Sequence, residues 1–391
     1  MAFYAPMKDP DHPVPSGDRT IARGVLAALA RAGASASTVS RLRTLDLDGS
    51  PAVQADLAAR ASVVAAGLIA ARAGGAQAWV TYHCHYKAPD LIGPAVASAL
   101  GLPYLLIEPS LSPKRLQGPW APFAEAAAAA IARADTLFWT TARDVPALVA
   151  AGHGPRLAPL PPFLDPGPPP ARLGQPARGA GGGAGGGAGA GMGSGAGGGA
   201  GGDSGRGSRQ DGPLALVTVA MMRPGDKLES YRRLARALAA LAPHCPDWRL
   251  EVLGDGPAEA EVRALYAPLA ARYPGAVAFL GRADTAGVRA ALERADAMLW
   301  PGVGEGVGLA WLEAQAAGVP VVAEDGPAAR DVVRAGRLAP PDEPERFAEA
   351  VAAVAAERAA LSVAARAAVL AEHSVEAAAA RLAAALSGHV S

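Results

Sequence analysis

At 391 residues, 51% of them hydrophobic, the chain has enough apolar material for two or so domains of roughly 100–200 residues each. With 36 basic and 36 acidic side chains the formal net charge is zero, so nucleic acid is not an expected partner. Cys84 and Cys245 lie far apart without metal-ligand spacing, which suits a reducing, cytoplasmic setting, and the opening residues lack a signal-peptide pattern. Outside the Gly/Ala tract, the longest charge-free run is Leu91 to Ile107. It is broken by Pro94 and Pro103 and falls short of the about 20 apolar residues of a membrane span, so a soluble protein is expected.

Ala2 to Ala5 reads as a short first strand, and Thr20 to Ala32 has helical spacing. Between them Ser16-Gly17-Asp18-Arg19 forms a loop in which Ser16 or Asp18 suits a helix N-cap. Pro51 to Ala73 is a long Ala-rich helix, and Ala78 to Thr81 a buried strand that ends in Tyr82-His83-Cys84-His85-Tyr86-Lys87. Polar and aromatic groups at the carboxyl end of a strand sit where open α/β sheets bind ligands. Period-two spacing puts His83 and His85 on one side, where an acceptor contact, a metal pair and plain loop packing all remain open. A helix from about Pro89 to Leu100 follows, then the strand Pro103 to Glu108 with Ser110, Lys114 and Arg115 behind it. An alanine-rich helix to Arg133 and the segments Thr136 to Thr141 and Leu157 to Leu160 continue the alternation.

Residues 166–212 are low in complexity, first prolines, then glycine and alanine, then a polar end. Such composition buries no core and reads as a flexible tether, an insertion without chemistry. It separates an N-terminal domain, 1–165, from a second, 213–372, followed by a C-terminal helical segment, 373–391. The second half alternates apolar strands (Leu214 to Val219, Leu250 to Leu253, Val277 to Leu280, Ala297 to Trp300, Val319 to Ala323) with helices, the pattern of a parallel sheet covered on both faces.

Chemistry concentrates in Leu299 to Val322. A strand end runs into a loop with Gly302, Gly304, Gly306 and Gly308, then a helix opens at Leu309. Glycines before a helix start let backbone amides approach an anion, which the helix N-terminus favours. Glu305 in the loop and Glu313 in the helix add carboxylates suited to sugar hydroxyls. Arg223 and Lys227, four apart after the first strand of this half, suit the two sides of a diphosphate.

The Glu305/Glu313 spacing, with Glu313-Ala314 and Gly318-Val319-Pro320-Val321-Val322 behind it, resembles the donor-site motif of the retaining GT-B glycosyltransferases, family four. That resemblance implies two Rossmann-like, doubly wound α/β domains facing across a cleft, with the C-terminal segment packing back across them. It implies that Glu305 sits against the donor sugar, that Glu313 holds the ribose, and that Gly306, Val307, Gly308 and Leu309 line the donor. Arg223 and Lys227 would neutralise the leaving diphosphate, although the family's usual Gly-Arg is here Met222-Arg223. Gly281-Arg282 matches the segment lining the base, and Gly17 the loop that reaches across to the donor phosphates, with one glycine where two are usual. Many relatives carry a His after the strand that here ends in Glu108; Glu108 is then the catalytic acceptor-side candidate, with His83 and His85 as neighbours, unless it merely anchors its loop to Lys114 or Arg115.

The implied activity is sugar transfer with retention from a nucleoside-diphosphate donor to a glycan, lipid-linked or small-molecule acceptor, in polysaccharide or cell-envelope glycan synthesis, with peripheral contact at the inner membrane surface. No cofactor beyond the nucleotide-sugar co-substrate and no metal are expected; Asp46-Leu47-Asp48 lies near a loop of undefined position. Gly254-Asp255-Gly256 is followed by Glu259 where a dinucleotide fingerprint needs its third glycine, and no nucleophile elbow or phosphate loop occurs. Glu305 and Glu313, about two helical turns apart if helical throughout, are too far separated for a retaining glycosidase pair. A nucleotide-sugar 2-epimerase on the same fold and a non-catalytic nucleotide-sugar-binding protein stay open; a periplasmic-type scaffold conflicts with the missing signal peptide.

Overall fold

The computed structural model describes residues 1–14, 16–170, 173–174 and 212–388. The first half runs β1 (Ala2–Tyr4), α1 (Gly17–Arg31), β2 (Ser37–Ser40), α2 (Pro51–Ala70), β3 (Trp79–Cys84), α3 (Gly93–Leu100), β4 (Tyr104–Pro109), α4 (Ala121–Arg133), β5 (Thr136–Trp139), α5 (Val145–Ala150) and β6 (Leu157–Pro159). The second runs β7 (Leu214–Val219), α6 (Asp226–Leu241), β8 (Trp248–Leu253), α7 (Glu259–Arg272), β9 (Val277–Gly281), α8 (Thr285–Arg294), β10 (Ala297–Leu299) and α9 (Leu309–Ala316). It ends with β11 (Val321–Glu324), α10 (Pro327–Val332), β12 (Gly336–Ala339), α11 (Pro344–Glu372) and α12 (Val375–Ser387).

Each half is a six-stranded parallel sheet, in the order β2-β1-β3-β4-β5-β6 and β12-β11-β10-β7-β8-β9, so the expected α/β class of two doubly wound domains is present. In both sheets the strand order reverses at one point, between β1 and β3 and between β7 and β10, where the crossover helices leave for opposite faces. The loops after these four strands part there; they and the helices they open carry Gly17, Asp18, Arg223, Lys227, Glu305 and Glu313, and His83 stands near the end of β3.

Alternation along the strands builds two cores in the first domain. Tyr4, Trp79, Tyr104 and Leu106 point to one face of the sheet, against Ala61, Val96 and Ile131 of the helices there. Phe3, Val80, Leu105 and Ile107 point to the other face, which is closed by Val25 and Leu29 of α1 together with Val375, Ala378 and Leu382 of α12. The last helix of the chain therefore completes the core of the first domain. His373 and Leu164 make the turn: His373 Nδ1 lies 2.7 Å from the Pro162 carbonyl, and the Leu164 amide donates to the His373 carbonyl.

Helix starts follow local chemistry. Ser16 caps α1 by accepting from the Arg19 amide, and Ser50, with Pro51 behind it, caps α2. The structure adds two strands that periodicity does not reveal. β2 and β12 are edge strands with mostly half-buried residues, so neither carries an apolar run. β3 extends to Cys84 rather than stopping at Thr81. α3 starts at Gly93 rather than near Pro89, because the buried Asp90 carboxylate takes the Ile92 and Gly93 amides in a turn. Asp46 is likewise a turn former, accepting from the Asp48 and Gly49 amides and from Gln54.

α2 is long and apolar enough to cross a membrane by length and composition, and only 22% of its most apolar window is buried. It carries the ion pair Asp56–Arg60 and lays Leu57, Ala61 and Ala65 on the first domain. Most of the Gly/Ala-rich tether lies outside the described residues, but its start is attached to the second domain: Arg366 donates to the Pro166 and Gly167 carbonyls, and Arg289 to that of Pro168.

Because Leu382 is fully buried between α1 and the first sheet, Leu382→Ala should cost about 2–5 kcal/mol, the usual range for a buried leucine. Urea denaturation monitored by tryptophan fluorescence should show the transition of the first domain moving to lower urea; an unmoved transition would separate α12 from that core.

Candidate functional site

The second sheet sets one wall of the site. The loop after β7 is clamped to the loop after β8: the Met222 amide donates to Asp255, and the Ala258 amide to the Met222 carbonyl. Gly254 and Gly256 permit that crossing, since a Cβ at Gly254 would lie 1.9 Å from the Ala220 carbonyl oxygen. Their glycines thus serve backbone packing, not a dinucleotide. The clamped loop presents Arg223, exposed and without an ion-pair partner among the described residues, and leads into α6, whose first turn carries Lys227.

Lys227 Nζ lies 2.6 Å from Glu305 Oε2, which also accepts from the Trp300 indole at 3.2 Å. Two residues that are 78 apart in sequence are joined because β7 and β10 are adjacent. The Glu305 loop has no room for other side chains at three of its glycines. A Cβ at Gly302 or Gly308 would lie 2.3 Å from the Trp311 ring, and one at Gly304 would lie 2.1 Å from Asp226. All three have positive φ, which L residues rarely adopt. Gly306, by contrast, faces open space. Gly308 caps α9 in the left-handed conformation without a side-chain hydrogen bond, leaving the first amides of the helix available to an anion.

Beside this loop lies a cavity of about 370 Å³ lined from the second domain by residues including Glu305, Gly306, Arg233 and Glu324, and from the first by Thr141 and Arg143. Arg233 Nη1 pairs with Glu324 at 2.7 Å, fixing the cavity floor. Glu313, further along α9, is reached by water yet surrounded by protein, and burial raises its pKa above the usual carboxylate value. Leu309 meets the first domain, its Cδ1 3.8 Å from where a Gly17 Cβ would stand. Arg282 is not among the cavity-lining residues; it is 75% exposed and pairs with Asp255 on the β9 edge of the sheet.

The first sheet sets the other wall. Asp18, in the first turn of α1, holds His83 through an Oδ1–Nδ1 contact of 2.9 Å. His83 has φ +61° and Glu108, one strand over, φ +57°, both unusual for residues with a Cβ and found together at adjacent strand ends. Glu108 Oε2 and the Tyr82 hydroxyl are buried without a hydrogen-bond partner among the described residues. Burial raises the Glu108 pKa, and neither Lys114 nor Arg115 pairs with it, so the loop-anchor reading of Glu108 does not hold. Burial would lower the His83 pKa, but the charge of Glu108 and the bond to Asp18 outweigh it and the net shift is upward. For Asp18 burial acts upward, and the bond to His83 with its charge wins, so the pKa falls.

His85 differs from His83. Its Nδ1 accepts from the Lys87 amide at 3.1 Å and its Nε2 lies 3.5 Å from Met7 Sδ. Burial, then the charge of His83, lowers its pKa to about 3, so it stays neutral and ties its own turn. The two rings lie 4.7 Å apart. Among the described residues there is no group of three His, Cys, Asp or Glu that could hold a metal ion. From sequence, Asp18 was read only as part of the loop before α1, and Arg233, Glu324, Thr141 and Arg143 carried no motif.

Comparison with known proteins addresses the second domain most directly. Residues 213–357 match a family model described as "Glycosyl transferases group 1". A phosphatidyl-myo-inositol mannosyltransferase of Mycobacterium tuberculosis is 38% identical over 123 residues, 30% of this chain and 31% of that protein. The matched stretch thus spans about a third of the length of that relative. In fold, the whole chain is similar to Anabaena Alr3699/HepE solved in complex with UDP, with a TM-score of 0.65 at 15% identity over 99% of both chains. It is equally similar to sucrose-phosphate synthase from Thermosynechococcus elongatus, with a TM-score of 0.64 at 19% identity over 99% of this chain and 98% of that one.

Two expectations follow from the site geometry. Gly308→Ala forces a Cβ into Trp311 at positive φ and should lower stability by about 1–3 kcal/mol, read as a drop in melting temperature. The Asp18–His83 pair should make stability pH-dependent at both ends. The raised His83 contributes stability fully below its ordinary value of 6.5, lost as pH rises through the raised pKa. The lowered Asp18 contributes above its ordinary 3.8, lost as pH falls through the depressed pKa. The pair should therefore stabilise most between those two values, and His83→Gln should flatten the alkaline limb in thermal melts recorded across pH.

Proposed function

We propose that the chain, whose residues 213–357 match the group 1 glycosyl transferase model, is a retaining glycosyltransferase that moves a sugar from a nucleoside diphosphate to a glycan, lipid-linked or small-molecule acceptor. The observation that carries this reading is the Lys227–Glu305 pair beside the uncapped start of α9. It places a cation, a carboxylate and free amides at one strand-order reversal, as a sugar diphosphate requires: charge for the phosphates and an acceptor for sugar hydroxyls.

In this reading the acceptor hydroxyl oxygen bonds to the anomeric carbon while the bond from that carbon to the diphosphate oxygen breaks. The hydroxyl proton passes to the departing diphosphate on the same face, which gives retention. Lys227, Arg223 and the first amides of α9 stabilise the charge that develops on the leaving group. Glu305 holds the sugar, Glu313 the ribose, and Gly306, Val307 and Leu309 line the nucleotide. Glu305 engages Lys227, so donor phosphates would share its protons. Asp18, His83 and Glu108 form the acceptor wall, with Glu108 orienting the attacking hydroxyl. The reaction needs no metal in this reading, because the cations and amides take that place. UDP is the first nucleotide to test, since HepE is solved with it. The two cysteines, both free, fit a reducing, cytoplasmic setting.

Charge-assisted hydrogen bonds contribute roughly 1.5–3 kcal/mol, so Lys227→Ala should weaken UDP binding by about 10–150-fold while uridine binds parent and variant alike. Calorimetry giving the same UDP affinity in both would remove the donor-site assignment. On the acceptor wall, Glu108→Gln should lower turnover by about 10²–10⁴-fold with UDP affinity and melting temperature intact. Parallel loss of stability and activity would make Glu108 a structural residue instead.

A further inference from the structure

Beyond His83 the first domain continues as a row of rings that the donor chemistry does not use. His83 and His85 are 4.7 Å apart between centroids, His85 and Tyr86 5.8 Å, and Tyr86 and Trp120 5.8 Å at an interplanar angle of 88°. The row starts at the Asp18–His83 contact, next in sequence to Gly17, which meets Leu309 of the donor helix, and runs along the first domain.

At its outer end two cations share one aromatic pair. Lys87 Nζ lies 5.8 Å from the Tyr86 centroid and 5.7 Å from that of Trp120. The Arg115 guanidinium lies 5.1 Å and 4.9 Å from the same two centroids. Cation–π attraction holds each of them there, but two like charges on one ring pair repel, and neither forms an ion pair among the described residues. Most of the described arginines have a carboxylate partner, as Arg133 and Arg233 do. Trp120 is a fixed wall: its segment is held by Gln54, which donates to the Pro119 carbonyl at 2.9 Å. Gly49 makes room for it, since a Cβ there would come within 2.7 Å of Pro119 and 3.2 Å of the indole. The Trp120 indole nitrogen is itself buried with no hydrogen-bond partner among the described residues.

We propose that this row is the acceptor subsite and that the acceptor is an anionic saccharide or polyol, its ring lying along Tyr86 and Trp120 and its phosphate or carboxylate between Lys87 and Arg115. The inference rests on the glycosyltransferase reading above and adds the acceptor class. Aromatic faces offer apolar surface to the ring face of a sugar, while the two cations, without an ion-pair partner among the described residues, supply the charge that selects an anion. The anion can belong to a soluble sugar phosphate or to a lipid headgroup, and the chemistry of recognition is the same.

The test uses the full chain saturated with UDP, so that sugar phosphates cannot occupy the donor phosphate site. Glucose 6-phosphate and glucose are titrated in one arm; vesicles of phosphatidylglycerol and of phosphatidylcholine are titrated in the other. The parent should prefer the anionic member of at least one pair by tenfold or more, and added salt should erode that preference. Lys87→Gln combined with Arg115→Gln should abolish it with UDP affinity unchanged, and Arg115→Lys, which keeps the charge, should retain most of it. Preference confined to the first arm assigns a soluble acceptor, and preference confined to the second a lipid-borne one. No anion preference in either arm, or a preference that survives the double substitution, overturns the inference. Failure of the parent to bind UDP at all would instead remove the donor reading on which it rests.

Discussion

The constraint on which this structure depends is the reversal of strand order in each parallel sheet. Parallel strands need long crossovers, and their helices must cover both faces, so each sheet has one pair of neighbouring strands whose following loops turn away from each other. At β7 and β10 that parting brings Arg223 and Lys227 to one side and Glu305 to the other. At β1 and β3 it brings Asp18 against His83. Neither pair is close in sequence, and each is close in space for the same topological reason.

The two reversals are also tied to one another. α12 returns from the second domain to complete the first domain's core, and the Ala142 amide donates to Asp331 across the gap. Gly17 meets Leu309 at the point where the two helix starts face each other. Charges from both halves act in one space, as Lys8 illustrates: burial lowers its pKa first, and the charges of Arg43, Arg223 and Arg19 push the same way against Asp18. A cleft so provided with cations suits an anionic ligand, and two of its cations, Lys227 and Arg233, are held by the carboxylates of Glu305 and Glu324.

Much of this was legible before the fold. The glycines at 302, 304 and 308 announced a strand-to-helix turn that only glycine tolerates, and the structure supplies the reason in the positive φ of each and the proximity of Trp311 and Asp226. Buried strands were legible because parallel sheets demand unbroken apolar runs, as in Leu214–Val219. The edge strands β2 and β12 were not, because each is paired on one side only and lacks an apolar run, whereas the edge strands β6 and β9 were read from their apolar residues. The difference between His83 and His85 was invisible too. Both stand at the same period, but one faces a carboxylate and the other a backbone amide.

By itself the sequence determined the fold class and the glycine-dependent turn at 302–308, because these depend on periodicity, composition and local backbone preference. Tertiary structure alone decided which side chains meet: Lys227 with Glu305, Asp18 with His83, Arg115 with Tyr86 and Trp120 and not with Glu108. The physical reason is range. A helix or a turn is set by neighbours within a few positions, whereas a contact between residues 65 or 78 apart exists only after the sheet order has placed their strands side by side.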